Sequence, residues 1–199
     1  MKATLSLPHR ATYADYLAAE QGSERRHEFF DGVIVAMAGG SDEHNAIASR
    51  FAGLFGARVR RGCRSYSPDQ RFWIASTAHG RYSDGSIICG KPEHPAHDAQ
   101  ATTNPSVIVE VLSPSSAGDD DGDKRRDFQS LAALQAYVLV AQDARWLKVY
   151  RRTEHGEWRA DPDVYRNGTS FELPNLTRPI AVDEVYDDIL DGAGISLLR

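Results

Sequence analysis

Apolar residues change their period several times along this chain, and each change marks an element. Thr12 can cap a helix running through Glu20, with Tyr13, Tyr16 and Leu17 on one stripe. Glu28-Phe29-Phe30 and Val33-Ile34-Val35 flank Asp31-Gly32, a turn dipeptide suited to positive φ, so residues 26–38 read as a β-hairpin. Ser41 can cap a longer helix to about Arg61, whose inner stripe is Ile47, Phe51, Leu54 and Phe55. The middle of the chain predicts strands at 70–74, 84–89 and 106–112, with a polar, proline-containing surface loop over 91–104. Ser113-Pro114 ends the third strand. A helix over about 120–133 follows, then a hairpin of 136–140 and 146–151, short strands around Asn167-Gly168, and a last helix near 183–190. That order predicts an α/β fold, a mixed β-sheet core flanked by helices, in a single domain spanning 1–199.

One position breaks the apolar pattern. In Val107-Ile108-Val109-Glu110-Val111-Leu112 both strand faces are apolar, which places the strand centrally with both faces covered. A lone carboxylate buried there costs several kcal/mol unless it is protonated, paired or bound to a metal. From the strand alone two readings stay open: a Glu near the strand end that pairs with an arginine or reaches water, and a metal ligand. Asp84 stands just before a second apolar run, Ile87-Ile88-Cys89. Alone it reads as a cap or turn residue. Two carboxylates from neighbouring strands, however, repel unless a cation lies between them, and Mg²⁺ is held by such small carboxylate sets. Lys124 falls four residues before Phe128 and seven before Leu131, on the inner stripe of its helix, where it either reaches the carboxylates or snorkels to solvent. Glu28, near a strand start, is either a further carboxylate of the site or a hairpin-edge residue.

Composition changes the picture little. A hydrophobic fraction of 41% and a charged fraction of 26% are ordinary for a globular chain, and no apolar run is long enough to span a bilayer. Residues 1–10 lack the apolar core of a signal peptide. Cys63 and Cys89 fit no zinc spacing and read as reduced thiols of a cytoplasmic protein, with Cys89 in the core. The net charge of −5 argues mildly against a chain that wraps nucleic acid, although bases cluster at 58–64 and 145–152. His94 and His97 read as loop residues. The acidic run 119–123 puts Lys124 where a calcium loop needs glycine, and so reads as charge complementing a helix N-terminus.

Several stretches in combination carry a resemblance: Arg26-His27-Glu28-Phe29-Phe30-Asp31-Gly32, Met37-Ala38-Gly39-Gly40-Ser41 with His44-Asn45, Asn104-Pro105 through Glu110 to Ser113-Pro114-Ser115-Ser116, and Leu134-Gln135-Ala136-Tyr137-Val138-Leu139-Val140. With Val149-Tyr150-Arg151-Arg152 and Asp183-Glu184-Val185-Tyr186 they cover nearly the whole chain, which resembles the Uma-two family of restriction-endonuclease-like proteins within the PD-(D/E)XK nucleases. The resemblance implies a restriction-endonuclease-like sheet and Mg²⁺- or Mn²⁺-dependent hydrolysis of phosphodiester bonds in DNA. Asp84 would be the motif's Asp and Glu110 its Glu, with the Val111 carbonyl as a further metal ligand. The family's usual lysine position, two residues after the Glu, is Leu112 here, which makes Lys124 the candidate relocated lysine. Ser83-Asp84-Gly85 stands where the family tends to show Pro-Asp and an apolar residue. A homodimer suits cutting of two strands. The alternative reading is a catalytically inactive nuclease fold that binds nucleic acid or protein.

Overall fold

The computed structural model describes residues 4–5, 10–114 and 117–198; residues 1–3 and 6–9 of the N-terminal segment, and Ser115-Ser116 of the resemblance, lie outside them. In chain order the elements are β1 (Thr4–Leu5), α1 (Tyr13–Gln21), β2 (His27–Phe30), β3 (Val33–Ala36), α2 (Asp42–Arg58), β4 (Cys63–Tyr66), β5 (Arg71–Ile74), β6 (His79–Tyr82), β7 (Gly85–Cys89), β8 (Ala101–Thr102) and β9 (Pro105–Leu112). There follow α3 (Ala117–Asp120), α4 (Asp123–Gln129), β10 (Ala136–Ala141), β11 (Trp146–Arg151), β12 (Asp163–Arg166), β13 (Ser170–Phe171), β14 (Ile180–Ala181) and α5 (Val182–Tyr186).

The expected mixed α/β architecture is present. The central sheet runs β12-β11-β10-β9-β7-β4, antiparallel throughout except for the parallel β9–β10 pair. Parallel neighbours need a long crossover, and α3 and α4 supply it. Alternation along β9 divides the core. Val107, Val109 and Val111 face α2 and α5, packing with Ile47, Phe51, Phe55 and Val185. Ile108 faces the other way, into a layer with Phe128, Leu131, Tyr137 and Leu139, and Glu110 shares its side of the strand. A second sheet, β1-β3-β2-β6-β5-β8, packs Phe72 and Ile74 into that layer. The Asp31-Gly32 turn has φ of 50° and 73°, as its hairpin requires. Among the described residues no helix is long and apolar enough to cross a membrane.

Three expectations need correction. The helix expected over 120–133 is broken at Asp121-Gly122 and ends at Gln129. At Gly122 an added Cβ would lie 2.5 Å from the Gly118 carbonyl oxygen, so only glycine accepts this close turn between α3 and α4. Strands β4 and β6 escaped the pattern because Cys63-Arg64-Ser65-Tyr66 and His79-Gly80-Arg81-Tyr82 show little apolar alternation. The missing β4 explains the third correction. Its register sets Cys63 opposite Cys89 across the β4–β7 ladder, and the two are joined as a disulfide rather than held as separate thiols. That bond removes the ground on which a reducing compartment was expected.

Candidate active site

The hairpin, the start of α2, the junction between the two sheets, β9 and the α3–α4 break all meet at one cavity of about 280 Å³. Glu28, His44, Asp84, Glu110, Asp120 and Lys124 line it together with Val111. The sequence-predicted residues Asp84, Glu110, Val111 and Lys124 are therefore gathered at one place, and Glu28 joins them.

Each is placed by a local cause. Asp84 sits at the corner where the chain leaves β6 of one sheet and enters β7 of the other. Its N–H donates to the Val109 carbonyl at 3.0 Å, and its Oδ2 accepts from the Val111 N–H at 2.7 Å. A strand residue directs its N–H and C=O to the same neighbour, so the Val111 carbonyl lies on the edge facing Asp84. Gly85 is not required by crowding: an added Cβ would meet Val109 only at 3.9 Å. Glu110, 2% exposed, projects toward α4. Leu112 packs against the same layer, so the family's usual lysine position is filled by hydrocarbon. Lys124 comes instead from the first turn of α4, held inward by Phe128 one turn on. Its Nζ is 3.0 Å from Glu110, 3.3 Å from Glu28 and 3.7 Å from Asp120.

Two groups were not anticipated. His44, one turn before Ile47 on α2, turns its Nε2 to Asp84 Oδ1 at 3.2 Å. It can do so because Gly40 leaves room: a Cβ there would lie 2.5 Å from the imidazole Cδ2. Asp120 was read as helix-terminus charge, yet it is buried beside Lys124. The four-residue spacing of Asp120 and Lys124 was the signal available in the sequence. Others of the acidic run also reach across the fold, Asp121 to Lys148 at 2.9 Å and Asp119 to Arg81 at 3.5 Å. His94 hydrogen-bonds the Ala101 carbonyl and His97 lies against Tyr13 and Trp73, both as loop residues.

The charges are strongly coupled. Burial raises the Glu110 carboxyl well above its usual range; Lys124 opposes this, while Asp120, Asp84 and Glu28 reinforce it. Burial would lower the Lys124 ammonium, but Glu110, Glu28, Asp120 and Asp84 more than reverse this and hold it well above its ordinary value. Asp84 is pushed up by burial yet ends below the usual carboxylate range, held there by His44, Lys124 and the Val111 N–H. Burial lowers the imidazole of His44, and Asp84 outweighs it, so that pKa is raised.

A supporting network lies behind the cavity. Glu28 accepts from the Tyr82 N–H at 3.1 Å and faces the fully buried Arg81 at 3.5 Å. The Arg81 Nε and the His79 Nδ1 both meet Asp127 Oδ2 at 2.8 Å, and Thr77 donates to Oδ1. Burial raises the Asp127 carboxyl, but its bonds to His79 and Arg81 prevail and lower its pKa. A depressed carboxylate stabilises the fold above its unfolded pKa, and that contribution fades as pH falls through the folded value. Asp127→Asn is therefore expected to lower stability at neutral pH by roughly 1.5–3 kcal/mol, the worth of a hydrogen bond to a charged group. It should also flatten the loss of stability on acidification below about pH 4, the range of an unperturbed aspartate, since the depressed carboxylate stabilises only above its folded value. Urea melts at several pH values measure both, and an acid limb as steep as wild type would refute the role.

Whether the cavity suits a divalent cation can be judged from its donors. Glu110 Oε1 is buried without a hydrogen-bond partner among the described residues, although Lys124 neutralises it as an ion pair. Asp84 and Glu110 are hard oxygen donors, and the Val111 carbonyl lies on the strand edge toward Asp84. Among the described residues no three His, Cys, Asp or Glu side chains form a ready-made metal cage. The donor set thus fits an ion that takes two carboxylates and completes its shell with carbonyl, water and phosphate oxygens, which describes Mg²⁺ better than zinc.

Comparison with known proteins gives the family and the fold. The Uma2 family, described as "Putative restriction endonuclease", matches residues 13–181. Two uncharacterized proteins of Synechocystis are similar over most of their length. The first, slr1290, is 32% identical over 173 residues, covering 86% of this chain and 89% of the relative. The second, sll1609, is 33% identical over 150 residues, covering 74% and 84%. The fold is shared with a solved structure from Anabaena variabilis, called "a putative nuclease belonging to DUF820", at a TM-score of 0.67 and 16% identity over 82% of this chain and 91% of that one.

Proposed function

Because this chain belongs to the Uma2 family of restriction-endonuclease-like proteins, we propose that its cavity hydrolyses phosphodiester bonds in DNA with Mg²⁺ or Mn²⁺ as cofactor. The observation that carries this reading is the meeting of Asp84, Glu110 and Lys124 in one cavity, with Lys124 Nζ 3.0 Å from Glu110. Asp84, Glu110 and the Val111 carbonyl would hold the ion. When bound, the ion polarises the scissile phosphate and lowers the pKa of the attacking water. The Lys124 side chain keeps its proton at Nζ, because four carboxylates stabilise the ammonium. It is accordingly suited to orient that water and to offset charge on the pentacovalent phosphorus, not to act as a base. The His44 imidazole and the Val111 N–H fix the two oxygens of Asp84, so the carboxylate is aimed before substrate arrives.

Incubation of purified protein with DNA and Mn²⁺ or Mg²⁺, followed by electrophoresis, tests the proposal; nicking or cutting is expected. A protein that binds the cation yet cuts no nucleic acid would favour the inactive binding module, a reading supported by Leu112 in the usual lysine position. Thermal melts add an independent check. Either cation should raise Tm by relieving carboxylate repulsion; the added stability grows with concentration over Kd and reaches about 2.7 kcal/mol at a hundredfold excess. Glu110→Gln should remove that dependence, and an identical response in both proteins would count against Glu110 as a ligand.

A further inference from the structure

Building on the nuclease reading, we infer that this cavity accepts an unpaired nucleotide of a polynucleotide strand, at a chain end, a flap or a looped-out position, in preference to a phosphate of intact duplex. Depth is the first reason. Glu110 is 2% and Lys124 6% exposed, and a hydrolysed phosphate must come within direct coordination distance of an ion held there. The phosphate and the sugars that carry it must therefore descend into the cavity. Its volume of about 280 Å³ is that of a small-ligand pocket. A single nucleotide descends into such a space more readily than a duplex, which brings its second strand along with each phosphate.

The lining is the second reason. Duplex binding rests on rows of Lys and Arg that neutralise successive phosphates. Lys124 is the only Lys or Arg among the described residues that line this cavity, and its charge is already met by three carboxylates. Around the acidic floor the lining is uncharged apart from His44: Val35, Met37 and Pro114 are apolar, and Ser41, Ser113 and Gln142 are polar. Gln142 Oε1 is buried and has no hydrogen-bond partner among the described residues. Apolar patches beside an unpartnered amide oxygen and serine hydroxyls suit a base whose faces and pairing edge are exposed, which is how single strands are read. A base stacked and paired in a helix offers neither.

Fluorescence anisotropy with Ca²⁺ in place of Mg²⁺ tests this on the intact protein. The probes are short single strands of DNA and of RNA, a blunt hairpin duplex, and the same duplex with an unpaired flap. At least one single strand, and the flap, should bind about tenfold tighter than the blunt duplex or better. The two strands distinguish a deoxyribose from a ribose substrate. Gln142→Ala should weaken strand binding by roughly fivefold without lowering Tm, since the amide oxygen accepts no hydrogen bond among the described residues. Duplex binding equal to or tighter than strand binding, or no binding of either, overturns the inference, and unchanged affinity in Gln142→Ala removes Gln142 from it. If the strand binds but is not cut with Mn²⁺, the nuclease reading fails and this one stands. If blunt duplex is cut as readily as the strand, the reverse holds.

Discussion

Glu110→Ala is expected to abolish cation-dependent cleavage, by about 10³-fold or more, because an ion at the reacting phosphate contributes several kcal/mol of transition-state stabilisation. Loss of activity alone would not separate chemistry from folding. Glu110 lies on a buried strand, so the companion variant is Glu110→Gln, which keeps the shape and deletes the charge. In the metal-free protein Glu110→Gln should melt at or above the wild-type temperature, since it takes one carboxylate out of a cluster of four around a single ammonium. Asp84→Ala should be equally inactive but less stable by about 1–3 kcal/mol, because the Val111 N–H loses its acceptor. Gel assays with Mn²⁺ beside melting curves distinguish these cases. A folded Glu110→Gln protein that still cuts at the wild-type rate would end the proposed mechanism.

Lys124→Ala is the second large effect. Removal of a charge that stabilises the reacting phosphate typically slows turnover by about 10²–10³-fold. The same change leaves Glu110, Glu28 and Asp120 without their shared cation, so the metal-free protein should lose roughly 3–5 kcal/mol. Added Mg²⁺ should return part of that stability, since divalent charge can stand in for the ammonium, while leaving the rate low. Lys124→Arg should restore much of the rate, because a guanidinium can serve an electrostatic role but gives up no proton at working pH. A rate that stays as low in Lys124→Arg as in Lys124→Ala would point to proton transfer or to strict geometry, and wild-type cleavage by Lys124→Ala would exclude the residue.

The legible parts of the fold were those with strong periodicity. The hairpin around Asp31-Gly32, the Thr12 and Ser41 caps, and β9, β10 and β11 stand where the pattern predicted them. Glu110 was conspicuous because a charge in an apolar run is costly, and Lys124 because it shares the stripe of Phe128. His44 was not legible as a site residue, since its role depends on a contact between segments far apart in sequence, whereas the place of Asp120 was open to reading from its four-residue spacing to Lys124. The imidazole meets Asp84 across 40 residues, and nothing local to position 44 signals it. The disulfide was hidden for a similar reason. Its two cysteines become neighbours only once the polar strand β4 is paired with β7, and a strand without apolar alternation gives no register to read.

The bond from the Val111 N–H to Asp84 bears on how this family can change over time. There the carboxylate takes the place of a backbone carbonyl, so it completes the ladder and also closes it. One side chain thus answers to two selective pressures, chemistry and the termination of a sheet. A relative that had abandoned hydrolysis would still be penalised for losing an acceptor at this corner, and asparagine, which keeps the acceptor without the charge, would be the first substitution tolerated there. Retention of Asp84 in a relative would therefore record the needs of the fold as much as those of a reaction, whereas Glu110, whose buried charge costs stability, is the position where drift to a neutral residue would mark an abandoned activity.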